Sequence, residues 1–237
     1  MPIIEPMTIR CIAFDLDDTL WECHPVIERA EQRFYAWLQS YYPKISQKYS
    51  EAELITHRMA FMHSHPNKRH DLTYLRKQWM LQLADEVGVT LKNNNRFIED
   101  GFEVFWLARN EVTFFDDTLD ILEQLSQRFS LGVISNGNAD VHHIGVGHLF
   151  DFALSSESAG VAKPDPDIFH QALRLAKAEK HETVYVGDDA KRDILGAHGA
   201  GIHAIWFNPK LAPWPGGRTP TAVIRHLNQL EDKIKDL

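Results

Sequence analysis

The chain has 237 residues, 44% of them hydrophobic and 24% charged, and carries a formal net charge of −8. That balance excludes a disordered chain, a fibre or a long coiled coil, and argues against nucleic acid or an anionic membrane as a partner. Two cysteines, Cys11 and Cys23, are too few for a disulfide scaffold or a thiol-rich zinc site and fit a reducing, cytoplasmic setting.

At roughly 150 residues per domain, the length suggests one large domain or two unequal ones. Met1 to Arg10 contains Glu5 and lacks the basic start and long apolar run of a secretory signal. No segment approaches the roughly 18 apolar residues that span a bilayer. Ile9 to Leu16 is short, apolar and rich in β-formers, and breaks into Asp17-Asp18-Thr19, so it reads as a buried strand. From Pro25 to Asn110 the periodicity is helical. Ile27, Ala30, Phe34, Trp37, Leu38 and Tyr41 follow the spacing of one helix face. Ser50 with Glu53 marks a capping box. Asp71 caps a helix running to Val87, which Gly88 stops. Phe97, Phe102, Phe105 and Arg109 mark a fourth helix.

After Val112 strands and helices alternate. A helix near Leu119 to Arg128 precedes the apolar run Leu131 to Ile134, which ends at Ser135-Asn136-Gly137. Asp165-Pro166 starts another helix, with proline at its first position. Val184 to Val186 is a strand ending at Gly187-Asp188-Asp189, followed by a helix over Lys191 to His198 and a strand over Ile202 to Phe207. Alternation of this kind predicts an α/β fold with a Rossmann-like parallel sheet. Residues 1–21 and 113–237 form the predicted core domain, and residues 22–112 form an inserted, all-α domain of four helices.

A parallel sheet collects ligands at the carboxyl ends of its strands. Asp15 and Asp17, two apart on an extended backbone, face one side, and Asp188 joins them from another strand end. Each pair of charges at about 4 Å repels by roughly 4 kcal/mol at an effective dielectric of about 20, so the cluster requires cations. Lys163 offers one, and a hard divalent ion supplies the rest. Mg²⁺ fits because it accepts few carboxylates and keeps waters. A metal, a lysine, a hydroxyl and free amides around an aspartate equip a site for phosphoryl transfer.

Phe14-Asp15-Leu16-Asp17-Asp18-Thr19-Leu20 resembles the first motif of the haloacid dehalogenase superfamily. Ser135, Lys163-Pro164 and Gly187-Asp188 with Asp193 resemble its other three motifs, in the family's order. The resemblance implies that Asp15 is the nucleophile that becomes an aspartyl phosphate, that Asp17 is the acid/base, and that Thr19 orients Asp17. It further implies that Ser135 and the amide of Asn136 hold phosphate oxygens, while Lys163 neutralises phosphate and nucleophile. Mg²⁺ would rest on Asp15, the carbonyl of Asp17 and Asp188, with Asp193 or, in its place, Asp189 in support. Haloacid dehalogenases carry a non-acidic residue where Asp17 stands, which favours a phosphatase of a small phosphorylated metabolite.

The helical insertion resembles the family's type 1 cap. Phe14 to Ile27, together with His70-Asp71-Leu72-Thr73, is also similar to bacterial phosphatases acting on flavin mononucleotide and on the phosphorylated ribitylaminouracil precursor of riboflavin. A phosphomutase or dehalogenase-like enzyme of the same fold, or a non-catalytic binding protein, stands as the alternative. A pure binder, however, needs no pair of acids. His70 and Arg76 are the cap's candidates for touching substrate. With Leu72 at 0°, Leu75 falls at about −60°, Trp79 at about −20° and Leu83 at about 20°, so Arg76 at about 40° lies inside the apolar face. It either pairs with a cap carboxylate, snorkels to the rim, or reaches substrate. His63-Ser64-His65 is a weak zinc candidate, since two close histidines are usually surface residues.

Overall fold

The computed structural model describes residues 8–89 and 94–237. Met1–Met7 lie outside the described residues, and with them most of the N-terminal segment read above. The chain divides into two units: residues 1–22, 113–137 and 141–237 form one, and residues 23–112 with 138–140 form the other.

The first unit is an α/β layer structure. Its strands are β1 (Cys11–Phe14), β2 (Ser130–Ser135), β3 (Phe152–Ser155), β4 (Thr183–Gly187), β5 (His203–Phe207) and β6 (Ala222–Ile224). They form one sheet in the order β3-β2-β1-β4-β5-β6, and every pairing is parallel. All four residues of β1 are buried, as expected of a strand covered on both faces. Ala13 of β1 stands opposite Gly132 of β2 and Tyr185 of β4. Glycine at 132 leaves room for the ring of Phe152, which would otherwise lie 2.0 Å from a Cβ there and have to shift. The short β3 and β6 strands extend the sheet beyond the sequence-predicted ones.

The second unit is helical: α1 (Cys23–Tyr41), α2 (Pro43–Lys48), α3 (Glu51–Ser64), α4 (Leu72–Glu86) and α5 (Asn94–Arg109). The short α2 adds to the four helices that periodicity predicts. Local signals set the boundaries. Ser50 and Glu53 make a reciprocal capping box, and the Asp71 side chain accepts from the Tyr74 amide. Ala30, Phe34 and Leu38 pack with Leu75, Trp79, Met80, Leu83, Phe97 and Phe105 in one core.

Arg76 is buried in that core. Its guanidinium pairs with the buried Glu31 and lies 3.3 Å from the centroid of the Phe105 ring, while Arg58 contacts the same Glu31 at 3.0 Å. Burial pushes the Arg76 guanidinium down to about 10, against the opposing pull of Glu31, so it stays charged at neutral pH. This is the ion-pair arrangement among the three that sequence leaves open. His70 is half-buried in the turn before α4.

The first unit continues with α6 (Thr118–Ser126), α7 (Val141–Ile144), α8 (Ser156–Ala159) and α9 (Pro166–Ala176). A widened helical segment over Ala190–Leu195 leads into α10 (Gly196–Gly199), and α11 (Leu230–Lys235) closes the chain. No described helix is long and apolar enough to cross a membrane.

Candidate active site

The site grows from the carboxyl ends of β1, β2 and β4. The Asp15 amide donates to the Val186 carbonyl (2.9 Å), which prolongs the β1–β4 pairing by one residue and fixes the direction of Asp15. The chain then turns sharply. Asp18 adopts a left-handed backbone (φ 59°), its amide donates to the Trp21 carbonyl (2.7 Å), and the Leu20 amide donates to Leu16 (2.8 Å). Asparagine and aspartate tolerate this conformation better than most residues.

Lys163 enters from the loop before α9, and its peptide bond to Pro164 is cis. The Asn136 side chain clamps that loop at both ends of one residue: its Nδ2 donates to the Lys163 carbonyl (2.9 Å) and its Oδ1 accepts from the Lys163 amide (2.8 Å). The buried Lys163 ammonium uses its three hydrogens on Asp15 Oδ1 (2.6 Å), Asp193 Oδ1 (2.7 Å) and the Tyr185 hydroxyl (2.6 Å). Tyr185 in turn donates to the Ile134 carbonyl (3.0 Å). It spans from β4 to β2 across β1, where the facing residue is only Ala13. Burial opposes the charge on Lys163, but Asp15 and Asp193 outweigh it and hold the ammonium above its ordinary pKa.

Asp193 approaches because residue 187 lacks a side chain: a Cβ on Gly187 would fall 2.5 Å from the Asp193 carboxyl group. Asp193 Oδ2 accepts from the Asp189 amide (2.9 Å), so both of its oxygens are engaged by nitrogen donors. Asp189 itself faces another way. Its carboxylate caps the next turn by accepting from the Lys191 (2.9 Å) and Arg192 (2.7 Å) amides, and pairs with the Arg192 side chain. Of the two supports that sequence left open, Asp193 is the one beside Asp15 and Lys163. Ser135 is buried and accepts from the Gly137 amide (3.0 Å), which leaves its hydroxyl hydrogen to be donated.

The Thr19 hydroxyl is directed at Asp188 Oδ1 (3.5 Å), and the buried Trp21 indole donates to Asp17 Oδ1 (2.9 Å). Asn136 contributes its side chain to the lysine loop, beyond the phosphate-facing amide anticipated for it. Sequence reasoning missed Tyr185, Trp21 and Trp206, whose indole donates to the Asp188 carbonyl (2.6 Å). Apolar strand and turn positions occupied by residues with one polar atom were the available signal.

Carboxylate oxygens of Asp15, Asp188 and Asp193 lie within 4.8 Å of one another, and this is the one such cluster of possible metal ligands among the described residues. The His63–His65 pair belongs to no such cluster. Burial first, then Asp193, pushes the Asp15 carboxyl up to about 8 despite Lys163. Burial, then Asp193, Asp18 and Asp189, pushes Asp188 up to about 7. Fully ionised, the centre would carry more negative charge than Lys163 balances, so without a further cation these two carboxyls hold their protons to higher pH. Its donors are hard oxygens, which suit Mg²⁺.

The haloacid dehalogenase-like hydrolase family matches residues 9–201. The chain is 29% identical over 230 residues to 5-amino-6-(5-phospho-D-ribitylamino)uracil phosphatase YigB of Escherichia coli (strain K12), covering 95% of this chain and 96% of that protein. It is similar in structure to 2-haloacid dehalogenase from Pseudomonas syringae pv. tomato DC3000, with a TM-score of 0.90, 38% identity, and coverage of 97% and 99% of the two chains. The fold also matches the magnesium-bound HAD-hydrolase YfnB of Bacillus subtilis, with a TM-score of 0.68 at 21% identity over 96% of this chain and 99% of that one.

Proposed function

This chain belongs to the haloacid dehalogenase-like hydrolase family, and on that premise we propose that it is a Mg²⁺-dependent phosphomonoesterase acting on a small phosphorylated metabolite. The observation that carries the reading is the buried contact of Lys163 with Asp15 at 2.6 Å, two residues before a second acid, Asp17. Asp15 is a nucleophile whose direction is fixed by the sheet. Its carboxylate attacks phosphorus while the bond from phosphorus to the ester oxygen breaks, and Asp17 gives its proton to the departing alkoxide. Asp17 then takes a proton from water, whose oxygen attacks the aspartyl phosphate and releases inorganic phosphate with Asp15 restored. Ser135 and Lys163 meet the charge on the transferring phosphoryl oxygens. Asp15, the Asp17 carbonyl and Asp188 would hold Mg²⁺, which would supply positive charge between nucleophile and phosphate, and Asp193 holds Lys163 in place.

The riboflavin precursor phosphate, or a flavin nucleotide, is the substrate we favour, since the relative covering 95% of this chain is named for the former. A second reading follows from the dehalogenase neighbour at 38% identity: Asp15 attacks a halogen-bearing carbon and expels halide. Asp17 favours phosphate, because halide leaves without a proton.

The deciding experiment incubates the enzyme with Mg²⁺ and either a panel of phosphorylated metabolites or 2-chloropropionate, and measures phosphate and chloride release. Phosphate release that chelator abolishes, with single-turnover label on Asp15, supports the proposal. Chloride release alone, or label elsewhere, overturns it.

A further inference from the structure

A cleft of about 360 Å³ opens in the α/β unit beside Asp188, within the size range of small-molecule sites. Phe115, Trp206 and Phe207 give it an aromatic lining. The half-buried Phe115 ring lies 5.8 Å from Phe207, tilted by 38°, and Trp206 is fixed by its bond to the Asp188 carbonyl. The polar lining carries both signs, with Asp18, Glu22 and Asp188 as carboxylates and Lys210 as a cation.

Lys210 is carried by a loop that is held before anything binds. Asn208 Nδ2 donates to the Ala212 carbonyl (2.9 Å), its Oδ1 accepts from the Ala212 amide (2.9 Å), and its own amide donates to Ile224 (2.8 Å). Leu211 is forced into a left-handed conformation (φ 56°) with its side chain outward, which a leucine adopts only where its surroundings impose it. A cleft with a fixed wall loses little freedom when a ligand enters.

The charges say which part of a substrate belongs there. Carboxylates in the lining repel a phosphate, so the cleft does not suit the phosphoryl group. A neutral, flat ring with N–H donors and carbonyl acceptors fits: its face stacks on Phe115, its donors meet Glu22, and a ring carbonyl meets Lys210. Asp188 belongs both to this cleft and to the carboxylate cluster around Asp15, so a short flexible chain connects a ring here with a phosphate there.

We propose that this cleft is the subsite for the leaving group, and that it selects phosphate esters whose leaving group ends in a flat, neutral ring with N–H donors and carbonyl acceptors. The assignment rests on the phosphatase reading above and adds residues to it: Phe115, Lys210 and Glu22 select the ring.

The test compares kcat/KM of the full-length wild type, Phe115→Ala, Lys210→Ala and Glu22→Gln on two Mg²⁺-supplemented substrates. One is 5-amino-6-(5-phospho-D-ribitylamino)uracil, and the other is ribitol 5-phosphate, which keeps the chain and lacks the ring. The wild type is expected to prefer the ring-bearing ester. Each variant should lose about tenfold on it, chiefly through KM, and stay within about twofold on ribitol 5-phosphate. Lys210 is exposed, so its variant reports on binding without disturbing packing. A wild type that hydrolyses both esters equally, or variants that lose equally on both or on neither, overturns the subsite while leaving the phosphatase reading intact. A wild type inert on every phosphate ester overturns that reading, and the subsite with it.

Discussion

Replacing Tyr185 with phenylalanine deletes one oxygen and nothing else. That oxygen accepts from the Lys163 ammonium at 2.6 Å and donates to the Ile134 carbonyl at 3.0 Å, in a part of the core closed to water. A hydrogen bond to a charged group contributes about 1.5–3 kcal/mol, and the stranded N–H finds no solvent to replace it. We expect a stability loss of about 2–3 kcal/mol, which for a chain of this length lowers Tm by roughly 5–10 °C. Lys163 keeps Asp15 and Asp193 but loses the contact that fixes its third hydrogen. Small misplacements of a charge-stabilising group cost up to about a hundredfold, so kcat should fall by about 10–100-fold. The assay measures kcat and KM on an aryl phosphate well below both melting temperatures, alongside thermal denaturation. A variant with wild-type kcat would show that the two carboxylates suffice to hold the lysine. A variant with wild-type Tm would contradict the buried network itself.

Three further outcomes are expected. Asp15 and Asp188, pushed by burial up to about 8 and about 7, retain protons that the unfolded chain releases above about pH 4. Metal-free stability therefore falls as pH rises from about 4 to about 8, and Mg²⁺ restores most at the upper end. Scanning fluorimetry of the wild type against Asp188→Asn, with chelator or Mg²⁺, checks this, and a wild-type Tm that climbs relative to the variant across that window refutes it. Asp17→Asn should slow alkyl phosphate hydrolysis by about 10²–10⁴-fold and aryl phosphate hydrolysis less, since good leaving groups need little protonation. Equal losses on the two esters would remove the acid role. Arg76→Met leaves Glu31 buried with Arg58 as its remaining partner, so stability should drop by about 3 kcal/mol in urea unfolding, with kcat/KM on an aryl phosphate within about twofold. Lost kcat/KM at unchanged stability would instead put Arg76 on the substrate.

Features that act within one turn of chain were legible in the sequence. Ser50 with Glu53, Asp71 and Asp165 mark helix starts because a capping side chain bonds an amide two or three residues on. Strand-helix alternation yields a parallel sheet for the same reason of short range: apolar periods of two and of 3.6 are properties of neighbouring residues. With the sheet parallel, Asp15, Ser135 and Asp188 had to gather at strand ends, so the candidate site was visible before any coordinate.

What the tertiary structure decided is which distant groups meet. Arg76 carries a helical phase that the sequence supplies, but its partner Glu31 lies 45 residues away on α1, and only the packing of α4 against α1 and α5 chooses it. Asp193 and Asp189 are equivalent as composition. Gly187 admits one to the lysine while the first free amides of the following turn claim the other. Trp21 reaches Asp17 because a left-handed Asp18 folds the chain back on itself. Tyr185 reads as an ordinary buried strand residue until Ala13 opposite leaves room for its hydroxyl to reach β2. In each case local preference sets a residue's direction, and its hydrogen-bond partner is fixed by which segments the sheet and the helical packing bring alongside.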